Sequence, residues 1–154
     1  MRTPLTRART GGLNNTKPEE MLAHVLKAVV QQTKISPKEI QDVAVGNVLM
    51  MGGGTTLFRT AQILADYPID VPIFSVGRFC SSGLEAVSLI ASKIKSGAID
   101  CGVGAGCESM TMGKMDQLVD PESISEKIFD NEVASNCLIP MGLTSEILSE
   151  KYKL

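Results

Sequence analysis

Histidine is almost missing from this chain, with one, His24, in 154 residues. The four cysteines, Cys80, Cys101, Cys107 and Cys137, form no C-x-x-C pair and have no histidine nearby, which argues against a zinc site or a dithiol redox motif. No secretory signal is read ahead of them, so we expect reduced thiols and not a disulfide framework. No apolar run approaches the roughly 20 residues of a membrane span. Positive charge is not in excess either. Fifteen Lys and Arg against 17 Asp and Glu give a net charge of -2, and the absence of a dense basic face argues against nucleic acid as a main partner. Two glycine-rich stretches also lack what a phosphate site needs. Gly52-Gly53-Gly54 is not followed by Gly-Lys-Ser/Thr, and Gly102, Gly104 and Gly106 place the third glycine wrongly for a dinucleotide fingerprint.

What is present suits one globular domain: 44% of residues are hydrophobic and 21% charged. Thr16-Lys17-Pro18-Glu19 has the form of a capping box, followed by the apolar stripe Leu22, Val25, Leu26 and Val29, and predicts a first helix. His24 shares that helix with Glu20, Lys27 and Gln31 and falls on its polar face. Ser36-Pro37-Lys38-Glu39 repeats the capping pattern before a short helical turn, and Val43 to Leu49 reads as a strand. A glycine turn follows, then a helix from Thr60 to Ala65 and a buried strand from Val71 to Val76. A helix beyond Cys80 ends at Gly97, and a glycine-rich strand carries Cys101 and Cys107 as packing residues. Residues 113–136, with Pro121, read as a polar excursion holding at most a short helix, and a last helix is expected from Thr144. Strands alternating with helices imply an α/β fold with a mostly parallel sheet and packed helices.

The segment Val76-Gly77-Arg78-Phe79-Cys80-Ser81-Ser82-Gly83-Leu84-Glu85 carries the chemistry. An apolar strand ends in a cysteine that opens a helix, whose apolar positions Leu84, Val87, Ala91 and Ile94 share one face. Free N–H groups and the positive end of the helix dipole favour a thiolate there, and Arg78 adds positive charge. On local features alone, a buried and inert cysteine remains the commoner reading.

Arg78 to Val87 resembles the block around the acyl-accepting cysteine of the thiolases. Arg2-Thr3-Pro4, Val45-Gly46-Asn47-Val48-Leu49, Arg59, Gly104-Ala105-Gly106-Cys107-Glu108-Ser109-Met110-Thr111 and Cys137-Leu138-Ile139-Pro140-Met141-Gly142 resemble further blocks of that family, in its order. The last is in the form typical of peroxisomal 3-ketoacyl-CoA thiolases. The resemblance implies the N-terminal half of a layered αβαβα fold, with residues 1–154 as an incomplete N-terminal domain. The first strand and the whole C-terminal domain, with its Asn-Glu-Ala-Phe and Gly-His-Pro blocks and second catalytic cysteine, are expected to be missing. Arg2, Arg7 and Arg9 overlap the Arg-Thr-Pro match and are read as a folded loop, not a transit peptide.

As function, the resemblance implies thiolytic cleavage of a 3-ketoacyl-CoA, with Cys80 as the acyl-thioester nucleophile and backbone N–H groups of its helix as the oxyanion site. Met141 is implied to line the acyl or pantetheine pocket, with a core-filling methionine as the alternative. CoA and acyl-CoA are substrates, no metal or bound cofactor is expected, and the partners are a second copy or a longer thiolase chain. The subfamily implies the peroxisome. Gly77 and Phe79 depart from the family's usual asparagine and small or polar residue. The alternatives are an inactive half-thiolase acting as an interaction or dimerisation module, and a condensing ketoacyl synthase.

Overall fold

Strand β1, Asp42–Gly46, is buried at every position, as a strand with neighbours on both sides must be. It lies between β2, Ile73–Val76, and β3, Gly102–Gly106, and both pairings are parallel. Val43 stands opposite Ile73 and Val103, and Gly46 opposite Val76 and Gly106. Parallel neighbours need long crossovers, and helices supply them. After α1, Pro18–Thr33, which precedes the sheet, α2, Thr55–Leu64, links β1 to β2, and α3, Ser82–Lys95, links β2 to β3. The computed structural model describes residues 1–113, 119–120 and 122–154, so the reading made for Pro121 lies outside the described residues.

The two faces of the sheet carry separate cores. Val43 and Val45 pack with Leu22 and Leu26 of α1 and with Phe58 and Ala61 of α2, while Ala44 and Val76 pack with Ala86 and Ile90 of α3. The expected mostly parallel α/β architecture is therefore present. Asp42 is buried and pairs with Lys93, whose ammonium lies 4.8 Å from the Phe74 ring centre, tying the end of α3 to the start of the sheet.

Several element limits differ from the sequence reading. Lys17, not Thr16, caps α1: the Glu20 carboxylate accepts from its N–H at 2.9 Å, and Pro18 takes the first helical position. The strand beginning near Val43 stops at Gly46, because Asn47 turns the chain by bonding across to Cys107 O at 2.7 Å. Helix α2 starts at Thr55 and not Thr60, launched from Gly54 at φ 72 and anchored by the fully buried Phe58. On α3, Ala86 and Ile90 face the sheet. The face with Leu84, Val87 and Ile94 is exposed.

The chain divides into two units, Met1–Met115 and Asp116–Leu154. In the second, a short helical turn at Glu126–Ile128 precedes α4, Glu132–Asn136, and α5, Met141–Tyr152. Helix α5 begins three residues before the expected Thr144, because Pro140 sets the entry to it. Among the described residues, no helix is long and apolar enough to cross a membrane.

Candidate active site

Cys80 stands on the turn between β2 and α3, two residues before the helix begins. The turn is held by its own hydroxyls. Ser82 Oγ accepts from Arg78 N at 2.8 Å and donates to Phe79 O at 2.6 Å, and Ser81 Oγ donates to Arg78 O at 2.8 Å. Phe79 adopts φ 47, a left-handed conformation unfavourable for a bulky residue, and its ring is 84% exposed. The next residue, Cys80, is thereby presented to solvent.

Close approach of backbone to backbone fixes this turn against the sheet. A Cβ on Gly46 would lie 2.4 Å from the Ser82 carbonyl carbon, and one on Gly104 would lie 2.7 Å from Val87 Cα. Only glycine lets α3 sit this near β1 and β3. The first i to i−4 bond of α3 runs from Glu85 N to Ser81 O, so the N–H groups of Gly83 and Leu84 have no backbone acceptor among the described residues. Arg78, expected to lend Cys80 its charge, is instead paired with the Glu85 carboxylate.

A cavity of about 760 Å³ opens beside Cys80. Met21, Val25 and Val29 of α1 and Val103 and Ala105 of β3 line it, and Phe79 and Cys80 stand at its wall. The loop after β1 lines it as well and is pinned by a carboxylate. Glu108 accepts from Val48 N at 2.8 Å and from Asn47 Nδ2 at 3.1 Å, while Asn47 Oδ1 accepts from Met50 N at 2.9 Å. Sequence reading had both Asn47 and Glu108 inside matched blocks but assigned them no part. Asparagine directly after a strand was the available signal for the turn.

The other sequence-selected residues have surroundings of their own. Cys107 is buried and donates from Sγ to Pro18 O at 3.2 Å. Burial first, then the nearby Glu108 and Glu19 charges, push its thiol up to about 12, so it stays protonated at neutral pH. Cys101 packs half-buried against the core, and Cys137 is exposed in the second unit. Arg59 clamps a turn, donating to Val71 O and Gln62 Oε1, each at 2.6 Å, and to Ile69 O. His24 is exposed on α1. Met141 opens α5 in the second unit and is 62% exposed. Gly77 has open space where a side chain would go, and nothing in the structure explains the glycine. Among the described residues, no group of three or more His, Cys, Asp or Glu side chains is placed to hold a metal ion.

The family model for the thiolase N-terminal domain matches residues 1–154. The chain belongs to the thiolase family. It is similar to the peroxisomal 3-ketoacyl-CoA thiolase B of Rattus norvegicus, with 46% identity over 98% of this chain and 35% of that protein. The peroxisomal 3-ketoacyl-CoA thiolase of Homo sapiens is 42% identical over the same shares. Among solved structures, the dimeric peroxisomal thiolase of Saccharomyces cerevisiae superposes with a TM-score of 0.87 at 35% identity, covering 99% of this chain and 40% of its own. The peroxisomal 3-ketoacyl-CoA thiolase of the same yeast, described as five layers built from two core domains of identical topology, gives 0.75 at 33% identity, covering 92% and 39%. This thiolase chain thus spans about a third of the length of the curated relatives it matches.

Proposed function

We propose that Cys80 is the acyl-accepting nucleophile of a thiolase-type acyl transfer. The observation that carries this reading is its presentation, exposed on a constrained turn at the wall of an apolar cavity and beside the free N–H groups of Gly83 and Leu84. The Cys80 sulfur attacks the keto carbonyl of a 3-ketoacyl-CoA, and the bond between the α and β carbons breaks. The leaving carbanion takes a proton and departs as acetyl-CoA, and the shortened acyl group stays on Cys80 as a thioester. The thiol of a second CoA attacks that thioester, releasing acyl-CoA and restoring the cysteine. The N–H groups of Gly83 and Leu84 are suited to the oxyanion of each addition step. CoA and acyl-CoA are the substrates, and Met141 remains a candidate for the acyl or pantetheine pocket.

The Glu108 carboxylate is engaged with the loop at Asn47–Leu49, and the sole histidine is exposed on α1. We assign the activating base to a longer thiolase chain as partner, with a second copy as the alternative partner for dimerisation, and the compartment to the peroxisome by the relatives' names. A second reading, an inactive interaction module, is favoured by the exposed apolar face of α3, where Leu84 is 74% exposed.

Incubating the chain with acetyl-CoA or a 3-ketoacyl-CoA, followed by peptide mass spectrometry, distinguishes these readings. We expect an acyl adduct on Cys80 and none in the Cys80→Ser variant. A folded sample with Cys80 unmodified would leave the interaction module as the better reading.

A further inference from the structure

One residue ties the carboxyl ends of all three strands. Asn47, directly after β1, donates from its backbone N to Val76 O of β2 at 3.1 Å and from Nδ2 to Cys107 O, just past β3, at 2.7 Å. It is buried, and its Oδ1 accepts from Met50 N at 2.9 Å. The Cys80 turn is seated on the residue before it. A Cβ on Gly46 would lie 2.4 Å from the Ser82 carbonyl carbon and 2.5 Å from Gly83 N. The turn that carries the sulfur and one of its free N–H neighbours therefore rest on a platform whose position Asn47 sets.

Glu108 is what fastens Asn47. Its two carboxylate oxygens accept from Asn47 Nδ2 at 3.1 Å, Val48 N at 2.8 Å and Leu49 N at 3.3 Å. Glu108 is exposed, so water alone would solvate its charge, and among the described residues no ion pair includes it. Charge-assisted bonds to three donors of one loop hold that backbone more firmly than neutral bonds would. We propose that Glu108 is a positioning residue for Cys80. Through Asn47 and Gly46 it keeps the sulfur and the N–H groups of Gly83 and Leu84 in one arrangement. The inference rests on reading Cys80 as the nucleophile, but its test needs no acyl donor.

That test compares the wild-type chain with Glu108→Ala and Glu108→Gln. The rate of Cys80 alkylation by iodoacetamide is divided by that of Cys137, an exposed thiol in the second unit, with both read by peptide mass spectrometry. The ratio should fall about tenfold in Glu108→Ala, because a displaced sulfur loses its N–H neighbours. It should fall less in Glu108→Gln, whose amide oxygen still accepts. Acetate replaces the missing carboxylate and should restore the ratio in Glu108→Ala, whereas sodium chloride at equal ionic strength should not. A residue that only adds stability would lower the urea midpoint and leave the ratio of folded protein unchanged. If Glu108→Ala does not fold, the ratio in Glu108→Gln decides. The proposal is overturned by a ratio that holds or rises in a folded variant, by a fall that acetate does not reverse, or by chloride reversing it equally well. A ratio that depends on Glu108 in a chain that acetyl-CoA leaves unlabelled would reject the acyl-transfer reading and keep the positioning role.

Discussion

Phe79 and Cys80 divide the work of one turn. The left-handed backbone of Phe79 aims the next residue outward, and for a side-chain-bearing residue that conformation costs about 1 kcal/mol or more. Its ring is exposed and gains little from burial. Phe79→Gly should therefore stabilise the chain by about 1 kcal/mol, read as a higher urea midpoint. Sequence alone marked Phe79 as bulk beside the nucleophile but held no information on its φ angle. The cysteines show a similar limit. The pattern placed Cys80 near a helix start, as found, and Cys107 on a packed strand, whereas Cys107 is buried one residue past the end of β3. The pairing of Arg78 with Glu85, seven residues on, required the helix to be built. Asn47 and Glu108 lie 61 positions apart, and no local pattern brings them together.

At the scale of elements, the spacing between α3 and the sheet is set by glycines of the strands. Gly46→Ala or Gly104→Ala drives a Cβ into backbone and should cost roughly 3 kcal/mol by thermal or urea unfolding, whereas Gly77→Ala, with open space around it, should change little. Capping signals and apolar periodicity made α1 legible to within a residue. They misplaced the start of α2 because Gly52, Gly53 and Gly54, all at positive φ, close directly into a helix. On α3 they mark the face with Leu84, Val87 and Ile94, which is exposed. Ser82, Ala86 and Ile90 meet the sheet, while Leu84, Val87 and Ile94 point away.

For the whole molecule, two buried groups tie stability to alkaline pH. Burial, then the charge of Cys101, raises Tyr67 from 10.0 to about 12, and burial with the Glu108 and Glu19 charges raises Cys107 from 9.0 to about 12. The fold favours the protonated form of each. Their contribution is complete below about pH 9 and is lost as the pH climbs toward 12. Urea midpoints measured from about pH 8 to about pH 11 should fall, and Cys107→Ala should make the decline shallower. The parallel α/β class was legible at this scale because strands and helices alternate in sequence. The open side of β3 was not, since the order of strands within a sheet depends on which crossovers pack best.

The position of β1 has a kinetic consequence. Among the described strands it alone has neighbours on both sides, yet its last partner in register, Gly106, follows its own end by 60 positions. While the ribosome makes the stretch between, Val43, Ala44 and Val45 have at most the flank that β2 covers sheltered. Loop closure over such separations makes folding slow, and the nascent chain is vulnerable to mispairing until β3 has emerged.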